Sequence, residues 1–398
     1  MEDKSEIFVY IEKFNKSSKY VLFDFVDSNE FTFFDLITAF NYKWEEQPTM
    51  VELVNYSNQN LQEGTVYRLL TENLRLIIPR VQIIEDSLVI GFKIELLDND
   101  NALFGKSKSF NEIERFERNM DDTYDSELTD SFFNLPSIDK VIIRNVGQGS
   151  WNELLAKNQF SLIYDFGTIY STKKTQVNFL IGNRDNEYQK SNPIFIFSHW
   201  DVDHYHFLLG FSNDTIKSIP HFIYRAAIPN LTARKALGRF RMYNPKALMP
   251  IAVVSAYPKR SSTVLKKYNL TTTRDILFYN ASKNRSRNKS GLGLLLRKKD
   301  TSVVFSGDYD YSQISSYILP DACYMNLHYL IVPHHGGKAG KFIYNITKIK
   351  SLGEAIISVG KNPYKPSHPL SNYINDLKTK GFTIIRTDAL LGDHTINL

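Results

Sequence analysis

Four side chains able to hold a metal fall within six residues, in His199-Trp200-Asp201-Val202-Asp203-His204, directly after the apolar run IFIFS. Alternation along a tight turn can aim His199 and Asp201 at one ion, and Asp203 and His204 at a neighbouring one. Without a cation such a group is costly, because the acids repel one another and lose hydration. Imidazole and carboxylate together suit Zn²⁺, and the second carboxylate admits Mn²⁺ beside it. Asp308 follows SVVFSG and could bridge two metals. His334 and His335 follow YLIVP and precede two glycines, and His368 lies in YKPSHP. Asp165, in LIYDFG, could orient a ligand from behind. NVGQGS sets Asn145 and Gln148 beside glycines that permit close backbone approach. Taken singly, each has an ordinary reading: HWDVDH as a surface loop, Asp308 as a turn residue, His368 as a loop histidine.

The elements that must carry these residues share a plan. KVII, FSLIYDFG, PIFIFS, TSVVFSG, YLIVP, EAIISVG and FTIIR read as buried strands, most of them ending in small or acid/base residues. Chemistry placed at strand ends, on loops held by a rigid sheet, is a common enzyme design. The segment after VGQGS reads as less regular. Residues 1 to about 100 read mainly as short strands: IFVYI, KYVLFDFV, FTFFDLI, VYRLL, LRLIIPRVQII and SLVIGFKIELL. The acidic stretch from about 110 is expected to be helical. No catalytic constellation stands out before residue 140, so a β-rich domain at 1–135, for packing, partner binding or regulation, is expected to precede a domain at 136–398.

At 398 residues, with 42% hydrophobic and 23% charged side chains, the chain is neither disordered nor fibrous. Its one cysteine, Cys323, excludes an intrachain disulfide and a Cys-rich zinc site. The start, MEDKSEIFVYIEKF, is a poor secretory signal, and no apolar run approaches the ~20 residues a membrane span needs. A cytoplasmic protein with no membrane partner is the simplest expectation.

The net charge of +5 hides two opposed regions. Residues 1–140 hold 27 Asp plus Glu against 14 Lys plus Arg, a net of −13. Residues 217–299 hold 19 Lys plus Arg against one acid, Asp275, a net of +18. Lys and Arg neutralise phosphates, and the interleaved tyrosines can stack on unpaired bases. Arg225, Arg239, Arg241, Arg285, Arg287 and Lys289 are therefore candidate nucleic-acid contacts. A solvated basic face over an aromatic core is the plainer alternative.

HWDVDH resembles the His-x-His-x-Asp-His signature of the metallo-β-lactamase superfamily, with Asp201 replacing the second His. VGQGS, SGD, VPHHGG and SVGKNPYKPSHP follow that family's order. Together they most resemble the soluble hydrolase domain of the competence DNA-uptake protein ComEC and its free-standing relatives, over about 141–216 and 300–398. The resemblance implies a four-layer αβ/βα sandwich, an α/β fold with two facing sheets and helices outside. It implies two divalent ions: His199 and Asp201 on the first, Asp203 and His204 on the second, Asp308 between them, and His335 as a late ligand beside His334. His368 would meet substrate or developing charge. A middle histidine ligand is also implied, for which His221 is a weak match. Asn145 and Ser150 stand where the family often has Asp, and the usual Gly-Gly after the metal motif is missing. These departures leave a one-metal or weakened enzyme open.

The expected reaction is hydrolysis by a metal-activated water, with Asp203 holding or deprotonating that water. His334, His335 or His368 would assist the leaving oxygen. With the basic segment, a nuclease cutting DNA or RNA is the expected function; a role in bacterial foreign-DNA handling or antiviral defence would be consistent with it. A small-molecule phosphodiester or ester hydrolase, and a non-catalytic nucleic-acid- or partner-binding module, are the alternatives.

Overall fold

The computed structural model describes residues 6–38, 50–56, 60–72, 81–84, 86–96, 103–105, 133, 135–252, 264–271, 275–282, 287–322, 325–345, 350–360 and 368–398. Among them, strands form three sheets, and no helix is long and apolar enough to cross a membrane.

The first sheet comprises β1 (Glu6–Asn15), β2 (Tyr20–Phe25), β3 (Met50–Val54), β4 (Thr65–Leu70), β5 (Val81–Ile83) and β6 (Ile90–Glu95), in the order β4-β1-β2-β3-β6-β5. FTFFDLI, expected as a strand, lies in the helix Ser28–Thr38. The side chain of Asp27 accepts the N–H groups of Asn29 and Glu30, and Phe31 and Phe34 bury one face. Capping and i,i+3 burial outweigh the β propensity of the aromatics. LRLIIPR and nearly all of the acidic stretch from 110 lie outside the described residues.

The second sheet contains β7 (Lys140–Ile143), β8 (Trp151–Ala156), β9 (Gln159–Phe166), β10 (Ile194–Ile196), β11 (Phe222–Arg225) and β12 (Leu248–Ile251). The segment after VGQGS, expected to be irregular, is the fully buried strand β8. The third sheet runs in chain order through β13 (Leu265–Asn269), β14 (Ile276–Ala281), β15 (Leu292–Lys298), β16 (Thr301–Phe305), β17 (Leu327–Ile331), β18 (Ser351–Ile357) and β19 (Thr383–Arg386). The last strand, β20 (His394–Asn397), returns to pair antiparallel with β7.

The two seven-stranded sheets face each other. Leu162, Tyr164, Ile194, Ile196 and Ile223 of one pack against Phe278, Leu294, Val303, Phe305 and Ile356 of the other. Their outer faces carry helices: Phe195 and Phe222 meet Val177, Tyr188, Leu237 and Phe240, while Val304 and Leu330 meet Ile318 and Leu377. Strand alternation explains the split, since Phe195 points opposite to Ile194 and Ile196. The chain is thus a mixed α/β protein with the four-layer αβ/βα arrangement expected from the resemblance. The first sheet docks on it, with Tyr20, Leu22, Met50 and Ile90 joining the apolar cluster that holds Trp200 and Tyr205.

Candidate metal centre

Parallel pairing puts the carboxyl ends of β9 and β10 at one edge of one sheet, and those of β16, β17 and β18 at one edge of the other. The proposed ligands leave from these ends. Asp165 closes β9, His199–His204 follow β10, Asp308 follows β16, and His334 and His335 follow β17. Gly167 permits the close packing beneath them: a Cβ there would lie 2.1 Å from the Asp203 carbonyl oxygen.

Two triads of side-chain atoms lie within 4.8 Å of one another: His199, His204 and Asp308; and Asp203, His204 and His335. His204 Nε2 is 3.3 Å from Asp308 Oδ1, and His335 Nε2 is 3.5 Å from Asp203 Oδ2. His199 Nε2 is 3.4 Å from Asp201 Oδ2 and 3.6 Å from Asp308 Oδ2. His204 is therefore shared between the triads, which the simple halving of HWDVDH does not describe. His334 and His335 both sit at φ 52°, a left-handed conformation costing about 1–2 kcal/mol per non-glycine residue. The turn sends the paired imidazoles to different carboxylates: His335 to Asp203, and His334 Nδ1 to Asp308 Oδ2 at 2.5 Å.

The outward nitrogens are tied down. His199 Nδ1 lies 2.9 Å from Ser198 Oγ, whose hydroxyl donates to Asp165 Oδ2 at 2.9 Å. Asp165 Oδ2 is also 2.8 Å from His204 Nδ1, and Asp165 Oδ1 accepts the Ser198 N–H at 2.7 Å. His335 Nδ1 meets the Ser358 carbonyl at 3.0 Å. With each Nδ1–H donating outward, each Nε2 presents a lone pair to the centre. Nε2 of His199, His204 and His335, and one oxygen each of Asp201, Asp203 and Asp308, are buried without a hydrogen-bond partner. Polar atoms orphaned together in two overlapping triads, with Asp201 beside His199, fit a divalent cation.

The electrostatics agree. Burial opposes ionisation of Asp203, but Lys13, His335 and His204 hold its carboxyl well below the usual range. Burial likewise opposes Asp308, and His334, His204 and His199 outweigh it. His204 is pushed well above the usual histidine value despite burial, because Asp165 and Asp308 stabilise its positive charge. The pocket demands positive charge. His368, by contrast, is driven by burial and by neighbouring His334 to about 3, so it is neutral near pH 7. Gln148 is buried at the pocket with its Oε1 unpartnered, while the Asn145 N–H donates to Asp393.

His221 does not reach the centre. It precedes β11, at the opposite end of the parallel strands from His199, and packs against Phe133. Two of the basic candidates are engaged within the protein. Arg225 is 4% exposed and donates to Asn280 and to the Ala281 carbonyl. Arg239 spends its guanidinium on the carbonyls of Leu208, Leu209 and Phe211 and on Asn213. Both brace loops by donating to backbone carbonyls. Arg241 is exposed on the helix Leu231–Tyr243, and Lys289 pairs with Asp310 at 2.6 Å. Arg285 and the Arg287 side chain lie outside the described residues.

The first sheet supplies residues that the sequence reading missed. Lys13 Nζ lies 3.3 Å from Asp203 Oδ2, and the Tyr10 hydroxyl donates to Asp201 Oδ1 at 3.3 Å. Glu12 pairs with Asn230, and Asp24 Oδ2 accepts the Thr232 N–H at 2.8 Å at the start of the next helix. Lys13, Phe14, Tyr20, Gln62 and Glu63 wall one side of a cavity of about 500 Å³, opposite Asp308, His334 and His368. Asn288 was also missed; its amide lies 3.1 Å from both Asp308 and His334.

No family model and no curated protein matches the chain. Three solved structures illustrate what it resembles, all of metallo-β-lactamase fold. A variant of the β-hydroxylase CmlA aligns over 84% of this chain and 74% of its own at 13% identity, TM-score 0.35. Human tRNase Z, short form, aligns over 48% and 76% at 12% identity, TM-score 0.28. A diphosphatase of the PhnP family aligns over 65% and 98% at 9% identity, TM-score 0.31. At such TM-scores the chemistry rests on this chain's own side chains.

Proposed function

We propose that the chain is a metal-dependent phosphodiesterase, most specifically a nuclease acting on DNA or RNA. The carrying observation is the convergence of three imidazole Nε2 atoms and three carboxylate oxygens, buried without partners, from strand ends and loops far apart in the chain. His199, Asp201 and Asp308 would hold one Zn²⁺ or Mn²⁺ ion, and Asp203, His204 and His335 a second, with Asp308 also within reach of His204. Bound there, such ions supply Lewis acidity and a nucleophilic water at neutral pH. Asp203 would orient that water and take its proton. Proton donation to the leaving oxygen falls to His334, where Asp308 overcomes burial to raise the pKa. His368, neutral near pH 7, is better suited to accept a hydrogen bond.

The motif order shared with the ComEC hydrolase domain and the surplus of Lys and Arg in 217–299 support a nucleic-acid substrate. The acidic N-terminal region is proposed to recruit a protein partner or to mask basic surface. A second reading, a hydrolase of small phosphodiesters, is favoured by the size of the cavity, which suits a compact ligand.

Cleavage of single- and double-stranded DNA and RNA, and of bis(4-nitrophenyl) phosphate, with Mn²⁺, Zn²⁺ or Mg²⁺ tests both. Asp203→Ala and His204→Ala should abolish turnover and metal binding while the protein stays folded. Turnover of the small ester alone, with no salt-dependent DNA binding, selects the second reading. DNA binding with no metal-dependent cleavage of any substrate defeats both.

A further inference from the structure

We propose that Lys13, carried in by the first sheet, is the anion-recognition residue of this site, and that it restricts the site to substrates bearing a phosphate-type negative charge. The inference builds on the metal-dependent reading above, because it concerns what Lys13 does once Asp203 is a ligand.

A backbone irregularity delivers this side chain. Along β1, Ile7, Val9 and Ile11 face the core of the first sheet, and Tyr10 faces the metal motif. Strict alternation would put Lys13 with Ile11. The β1–β2 pairing shifts register between Ile11 and Lys13, so one extra residue is accommodated there. That bulge turns Lys13 to the side of Tyr10 and aims its ammonium at Asp203. Bulges re-aim side chains next to active sites in this way.

The surroundings give the ammonium one task. Its side chain is only 15% exposed, and its nearest carboxylate is Asp203 at 3.3 Å. A divalent ion on Asp203 would consume that carboxylate's charge and leave a buried ammonium beside a dication. Glu63, on the same wall, offsets only part of this positive charge, and burying the remainder is expensive, so an incoming anion is favoured. Histidines aside, the cavity wall carries Lys13, Lys289 and Lys338 against Glu63, Asp203, Asp308 and Asp310, a net of −1 that two divalent ions would turn to +3. A phosphate oxygen lying between Lys13 and the centre meets this demand; a neutral lactone or ester does not. Lys13 would thus bind a non-reacting oxygen of the substrate.

The test is calorimetric titration of inorganic phosphate into the full chain loaded with Mn²⁺ or Zn²⁺, with metal content measured alongside. Lys13→Met should weaken phosphate binding about ten- to a hundredfold at unchanged metal content, and Lys13→Arg should restore part of it. Should Lys13→Met misfold, the wild type still decides: saturating phosphate should protect Lys13 from acetylation, read by peptide mass spectrometry. Unchanged phosphate affinity in Lys13→Met, absence of phosphate binding to the loaded wild type, or no protection overturns the proposal. A rise in metal content with phosphate affinity unchanged would also overturn it, making Lys13 a stand-in cation. The two readings fail separately. Lys13-dependent phosphate binding without cleavage of any ester sinks the reaction alone, whereas cleavage with an unchanged KM in Lys13→Met sinks this inference alone.

Discussion

Asp165→Asn should weaken metal binding while sparing the fold. Asp165 is fully buried and takes its place at φ 57°, a conformation Asn tolerates well. The new amide oxygen can keep the Ser198 N–H bond now made by Oδ1 at 2.7 Å. Its amide nitrogen then replaces Oδ2, which meets His204 Nδ1 at 2.8 Å and Ser198 Oγ at 2.9 Å. A donor facing His204 Nδ1 forces that nitrogen to accept, so the ring proton moves to Nε2 and points into the centre. His199 is affected through Ser198. Losing this outer support typically costs 10–100-fold in metal affinity, about 1.4–2.8 kcal/mol. Competition against a chromophoric chelator measures it, with thermal unfolding of the chelated protein as the control for folding. Wild-type metal affinity in Asp165→Asn would refute the tautomer argument.

Four further outcomes are expected. Gly167→Ala should destabilise the protein by about 1–3 kcal/mol and lower metal affinity, since its Cβ collides with the Asp203 carbonyl; chemical denaturation and chelator competition check both. Arg225→Ala should lower the unfolding midpoint, because it leaves Asn280 and the Ala281 carbonyl buried without this donor. His328, buried between Ser302 and Tyr344, is depressed by burial to about 3. The unfolded chain therefore binds its proton first, so stability should fall as pH drops from about 6.5 toward 3, by up to about 1.4 kcal/mol per unit from this group, and His328→Gln should remove that part of the slope in urea titrations. Neutralising Arg285, Arg287 and Lys289 together should flatten the salt dependence of DNA binding, its log–log slope falling by roughly 0.9 for each phosphate these side chains neutralise, read by anisotropy; an unchanged slope makes the segment a solvated face.

How far the site could be read in advance depended on how local its cause is. His199, Asp203, His204, Asp308 and His335 each follow the end of an apolar strand, and strand periodicity is a short-range signal. Asp165 could be placed behind them for the same reason. The pairing within HWDVDH was less legible, because the short helix Val202–Tyr205 folds His204 back between both triads. Lys13 left no local trace: its direction depends on a bulge set by pairing with β2. Arg225 and Arg239 looked like surface charge because composition says nothing of which carbonyls a guanidinium will meet in the fold. FTFFDLI misled for a related reason, since one capping aspartate and tertiary burial overrode aromatic strand propensity.

The extra residue in β1 makes the pleat there a chemical variable. Flattening the bulge with Glu12 retained would swing an ammonium into the oily interior of the first sheet, whereas deleting Glu12 would leave Lys13 opposite Leu22 on the pocket face. Substitutions that straighten the strand around Glu12 should therefore be selected against as strictly as loss of a ligand, although the strand itself supplies none.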